Sequence, residues 1–126
     1  MGFDFFEVSY SLTDDHIIRN LNKKYRRINK ATDVLSFPQY RFQNGELLEP
    51  VILTGRKIPL GDIVISAETI KRRSRGKTGF ETYLLRTVIH GILHLLGFDH
   101  IRRKDRKTMR SIENILFKLY RKDFSL

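Results

Sequence analysis

At 126 residues the chain is long enough to bury one sizeable core and too short for two, so a single domain spanning residues 1–126 is expected. Apolar residues make up 40% and charged residues 30%, which excludes disordered and fibrous classes, and no apolar run approaches the roughly 20 residues of a membrane-spanning helix. Against 14 Asp and Glu stand 24 Lys and Arg, a net charge of +10, while the absence of cysteine excludes disulfides and thiolate metal sites.

Taken in chain order, Phe5 to Ser11 alternates as a strand does, and Thr13 with Asp14 and Asp15 forms an N-cap and an acidic first turn. Ile17, Ile18, Leu21 and Tyr25 recur at helical spacing, which predicts a helix from about Asp14 to Tyr25 with a basic far end. Asp33 to Phe37 reads as a short strand stopped by Pro38, and Gly61 to Ser66 as another. Between them, Gln39 to Pro59 holds Asn44-Gly45, Pro50, Gly55 and an apolar run at Val51 to Leu53, the signature of a loop or irregular hairpin. Ser66 caps a helix running towards Arg73, followed by a basic, glycine-containing loop from Ser74 to Gly79. Phe80 to Leu96 predicts a strongly apolar, largely buried helix, and Lys104 to Arg121 an amphipathic one with Met109, Ile112, Leu116, Leu119 and Tyr120 on its apolar side. The fold class is therefore α+β, a small mixed β-sheet flanked by helices, one of which carries a zincin-like pair of histidines.

That pair is His90 and His94, two of the four histidines in the chain. At i and i+4 they occupy one helix face, close enough for both imidazoles to reach a single ion at the ~2.0–2.1 Å of a zinc–nitrogen bond. Gly97 stands where a left-handed residue ends a helix, so that His100 can return to the same point as a third ligand. The spacing H-x-x-x-H-x-x-G-x-x-H is that of the metzincin metalloproteases, except that Gly91 replaces the glutamate that serves them as general base. Three histidines with an open fourth position are what a catalytic zinc keeps, whereas structural zinc is closed by four ligands. One Zn²⁺ ion is the expected cofactor, with no small-molecule cofactor beside it. His16, beside Asp14 and Asp15, reads as surface helix polarity.

Basic residues cluster at 23–30, 71–77, 102–110 and 118–122. A single cluster is as well explained by a solvated helix face, but four on one small domain favour a polyanion such as RNA or DNA. The N-terminus, with Asp4 and Glu7 among its aromatics, lacks a basic export signal, so a cytoplasmic location is expected.

The run His90-Gly91-Ile92-Leu93-His94-Leu95-Leu96-Gly97-Phe98-Asp99-His100 resembles the H-G-x-L-H-L-x-G-x-D-H signature of the YbeY family, bacterial single-strand-specific metalloendoribonucleases. Leu21-Asn22 with Tyr25-Arg26, then Thr32 to Pro38, then Leu60 to Ile63, and finally Met109 and Glu113 resemble family segments in the same order. Two departures stand out: Ala31 takes the place of a usual proline, and the chain begins late, since family members carry an additional N-terminal strand and helix. The resemblance implies a zinc-dependent endoribonuclease acting in 16S rRNA 3′-end maturation and ribosome quality control, with single-stranded RNA, 16S rRNA and the ribosome as partners. It also implies a catalytic role for Arg26, a guanidinium able to hold a phosphate bidentately; from the residues alone, a helix C-terminal cation is an equal account. Asp99 reads either as an acceptor orienting an imidazole or as a turn residue. Ser36, Asp62 and Glu113 read first as strand-end, turn or packing residues and second as site residues. The rival functions are a metzincin-like metalloprotease and a non-catalytic ribosome-binding protein with a structural zinc.

Overall fold

A computed structural model describes residues 6–49, 58–74, 79–98 and 103–121. His100 and Asp99, the Val51 to Leu53 run and most of the basic loop after Ser74 lie outside them. The architecture is α+β. A three-stranded sheet in the order β1-β5-β2 carries β1 (Phe6–Thr13) parallel and β2 (Val34–Pro38) antiparallel to a central β5 (Ile58–Ser66). Two short strands, β3 (Phe42–Gln43) and β4 (Glu46–Leu47), form a separate hairpin. Asn44 and Gly45 turn it with φ of 48° and 86°, the left-handed pair that a two-residue Asn-Gly turn requires. Among the described residues no helix is long and apolar enough to cross a membrane.

β5 is central because it is the most apolar strand: Leu60, Ile63 and Ile65 are all buried. It is also longer than Gly61 to Ser66 because Ile58 and Pro59 continue pairing with β1 beyond a register shift between Glu7 and Val8 that skips Leu60. β1 and β2 form the two edges, and on β1 Tyr10 and Leu12 are left half or more exposed.

Helix α1 (Asp15–Arg26) starts at Asp14, not Thr13: the Asp14 carboxylate accepts from the Ile17 N–H at 2.8 Å while Thr13 remains paired in β1. Such a cap contributes about 1 kcal/mol. Arg27, at φ 59°, ends the helix one residue after Arg26. The start of α1 is tied to α2 (Ala67–Arg73) through Asp15, whose carboxylate accepts from the Ser66 hydroxyl (2.6 Å), the Thr69 hydroxyl (2.5 Å) and Arg72 Nη1 (2.8 Å). Those two hydroxyls, and then Arg72, hold the Asp15 carboxyl at about 2, below its usual 3.8.

Helix α3 (Phe80–Leu95) is the shared wall of two cores. Leu84, Val88, Ile92 and Leu95 pack with Leu60, Ile63, Ile65 and Ile70 against the sheet, while Leu85, Ile89 and Leu93 pack against Met109 and Phe117 of α4 (Arg103–Tyr120). At about 100° per residue these two apolar stripes leave a third strip of α3 uncommitted, and His90 and His94 lie on it. The apolar side of α4 is rotated from the expected one: Phe117 is buried and Leu119 is 62% exposed. Contact with α3 is made through positions 109, 113 and 117, one turn apart, so Leu119 falls outside the seam.

Candidate active site

The His90 and His94 rings meet edge to face with centroids 4.5 Å apart, and their Nε2 atoms lie 2.9 Å from one another. Both are partly buried, with a third (33%) of the His90 side chain exposed, neither sealed in the core nor fully in solvent. Together with Arg26, Thr32, Asp33, Val34, Leu35 and Ser36 they line a cleft of about 480 Å³. Three elements thus contribute: the last residue of α1, the start of β2, and the third strip of α3. Of the residues expected from sequence to form the site, the fold brings Arg26, His90 and His94 to one cleft.

Two glycines set how α3 meets its neighbours. Gly91 is buried where the helix crosses the sheet; a Cβ there would lie 3.0 and 3.1 Å from two Ile63 side-chain carbons and 3.3 Å from the Ser36 hydroxyl. That hydroxyl donates to the Gly91 carbonyl at 3.1 Å, fastening β2 to the helix next to His90. Gly91 is therefore a close-approach residue, and a glutamate in its place would enter the helix–sheet contact instead of the cleft. Gly97 has φ +82°, and its Cβ would collide with the Phe42 carbonyl at 2.0 Å. Around it the Gly97 N–H donates to the His94 carbonyl (3.0 Å) and the Phe98 N–H to the Leu93 carbonyl (3.0 Å), the paired bonds of a Schellman cap. The Gly45 N–H donates to the Leu96 carbonyl at 2.8 Å, docking the β3–β4 hairpin on the same helix end. The chain therefore leaves α3 by a sharp, doubly anchored turn three residues before His100.

His90 has a second partner: its Nδ1 is 2.5 Å from Glu113 Oε1 on α4. Sequence reasoning placed Glu113 first among packing residues. A signal was available, since an acid between Met109 and Phe117 at four-residue spacing interrupts a buried apolar stripe, and a buried acid needs a partner. Asp62 is placed differently. Ser36 and Ile63 both meet Gly91, so they face α3; strand alternation turns Asp62, next to Ile63 on β5, to the other side, where it is exposed. Asp33 lines the cleft with its carboxylate engaged by Arg73 (3.2 Å) and the Tyr83 hydroxyl (3.4 Å). His16 lies on the exposed face of α1, within 3.4 Å of the Asn20 amide.

Two facing imidazole nitrogens form a donor set suited to a borderline metal such as zinc. Two such bonds at a tetrahedral angle would separate the nitrogens by ~3.3 Å, a few tenths of an ångström more than the 2.9 Å between them here, so the pair fits such an ion. Among the described residues no cluster of three ligands occurs, His100 lying outside them.

Residues 2–121 match the family described as endoribonuclease YbeY. A relative of that name from Caldicellulosiruptor bescii is 47% identical over 86% of this chain and 69% of its own length. Another, from Aquifex aeolicus, is 43% identical over 94% of this chain and 74% of its own length. The solution structure of a Thermotoga maritima protein superposes with a TM-score of 0.61 at 28% identity, covering 94% of this chain and 70% of that one. An α+β scaffold that gathers two imidazoles and a guanidinium on one cleft, with relatives of this kind, defines the nuclease class of hydrolase. Within that class the chain belongs to the endoribonuclease YbeY family.

Proposed function

We propose that the chain is a zinc-dependent, single-strand-specific endoribonuclease acting in 16S rRNA 3′-end maturation and ribosome quality control, working in the cytoplasm as one domain. The observation that carries this reading is the convergence of Arg26, His90 and His94 on one cleft from α1 and α3. In this reading His90, His94 and His100 would hold one Zn²⁺. When bound, the ion would supply Lewis acidity to water or to a phosphodiester oxygen. Arg26 holds the scissile phosphate through paired N–H donors and stabilises the charge that develops on it. Lys23 and Lys24, exposed in the same last turn of α1, attract the flanking phosphates. In this reading Asp62, exposed on the far face of the sheet, takes no part in the reaction.

A metzincin-like protease mechanism has no support in this arrangement, because the position of its glutamate is occupied by a glycine packed against Ile63. The test compares the wild-type chain with His94→Ala. We expect one zinc per wild-type chain and cleavage of single-stranded 16S rRNA fragments, with both lost in the variant. Cleavage that survives loss of the metal would overturn the proposal. A wild-type chain that binds zinc, never cuts RNA and unfolds on His94→Ala would instead be a ribosome-binding protein with a structural zinc. RNA affinity should also fall steeply with added salt, as phosphate contacts require.

A further inference from the structure

We propose that Glu113 is a positioning residue: it fixes His90 as the Nδ1–H tautomer and so aims the Nε2 lone pair of that ring into the cleft. As a statement about metal binding this rests on the function proposed above; as a statement about the tautomer it does not.

The geometry begins with the two sides of the ring. Nδ1 of His90 faces Glu113 Oε1 at 2.5 Å, and Nε2 faces His94 at 2.9 Å. A carboxylate only accepts, so the proton of a neutral His90 belongs on Nδ1, and Nε2 is left as an acceptor. Two Nε2 atoms at 2.9 Å need one proton between them, and with His90 fixed this way His94 is the donor. Glu113 is on the opposite side of the His90 ring from His94, so it cannot share an ion with the two Nε2 atoms. Its part is to orient one of them.

Glu113 sits within the packed seam of α3 and α4, its side chain 25% exposed. One turn before it Met109 is 2% exposed and one turn after it Phe117 is 9% exposed, both in the seam with Leu85, Ile89 and Leu93. The guanidinium of Arg86 lies over the Phe117 ring at 3.9 Å and closes that end of the seam. A carboxylate held between two buried apolar residues has few rotamers and a need for a donor, and His90 Nδ1 lies 2.5 Å from it. Apolar packing between α3 and α4 is thereby converted into the orientation of a ring in the cleft. Partners of this kind are worth roughly 10- to 100-fold in metal affinity.

The test uses the full chain, freed of metal, with Glu113→Ala and Glu113→Gln. Long-range ¹H–¹⁵N NMR of the imidazoles should show His90 of the wild type protonated at Nδ1. Glu113→Gln, whose amide oxygen still accepts from Nδ1–H, should keep that tautomer, and Glu113→Ala should lose it. Titration with Zn²⁺ against a chromophoric chelator should then show affinity falling 10- to 100-fold in Glu113→Ala and clearly less in Glu113→Gln. A metal-free wild type with His90 protonated at Nε2 overturns the proposal even if Glu113→Ala fails to fold. So does a folded Glu113→Ala that binds zinc as tightly as wild type. A wild type with the Nδ1–H tautomer that binds no zinc would refute the metal reading and leave the assignment of the tautomer intact.

Discussion

Asp15 and Glu113 each tie one helix to another, and they do so to opposite ends. Asp15 joins α1 to α2, and its carboxylate takes two hydroxyl donors and a guanidinium from within the protein, with its own N–H given to Glu68 at 2.9 Å. Glu113 joins α4 to α3, but its partner is a ring whose other nitrogen faces a cleft. The first arrangement exhausts its hydrogen-bonding capacity on the fold. The second passes it on to a group that can meet a ligand. A buried or half-buried acid is thus no guide to function until the far side of its partner has been inspected, and the comparison can be broken at several points.

The largest effect is expected at Gly91→Glu. A Cβ at that position already lies 3.0 Å from Ile63, and the rest of the side chain would carry a carboxylate into the contact between α3 and the sheet. Overpacking and an unpaired buried charge together should cost about 4 kcal/mol or more, read as the midpoint of urea unfolding. A Gly91→Glu chain that folds with wild-type stability and acquires peptidase activity would show that the glycine guards only the chemistry and not the packing.

Next is Arg26→Ala. Arg26 is exposed at the end of α1, and no described residue is bonded to its guanidinium, so stability should change by no more than about 0.5 kcal/mol. Loss of a donor to transition-state charge should lower RNA cleavage by about 10²- to 10³-fold. Arg26→Lys, a point charge without the planar fork, should recover only part of the rate. Equal loss of stability and activity would make Arg26 a helix-end cation, the alternative that sequence alone left level with the catalytic one.

Much of this was legible in the residues. Helix α3 and its cap could be read from an unbroken apolar period and from Gly97, because the Schellman turn is a local structure set by local residues. The histidine pair was legible for the same reason, since i and i+4 must share a face. What could not be read depends on contacts between distant segments. That Glu113 would partner a histidine depended on how α4 rotates against α3, and the seam through Phe117 differs from the stripe through Leu119 that spacing suggests. Gly91 was informative in the sequence for the glutamate it lacked. Only the approach of Ile63 and Ser36 explains why a side chain is excluded there.

The smallest effect is expected at Asp15→Asn. With the Asp15 carboxyl held at about 2 in the fold and near 3.8 when unfolded, the folded state favours the charged form. A depressed folded value contributes stability that is fully present above the unfolded value and is lost as pH falls from about 4 towards 2. The shift corresponds to roughly 2 kcal/mol, which the open quarter of the side chain and solvent screening reduce to about 1 kcal/mol. Urea unfolding at pH 7 should therefore separate wild type from Asp15→Asn by about 1 kcal/mol, and the gap should close between pH 4 and pH 2. Zinc affinity should be unchanged in Asp15→Asn, because the knot lies at the far end of α1 from the histidines. If instead Asp15→Asn weakens zinc binding as Glu113→Ala does, the two acids are not separate devices, and α1 transmits strain from its first turn to the cleft at its last.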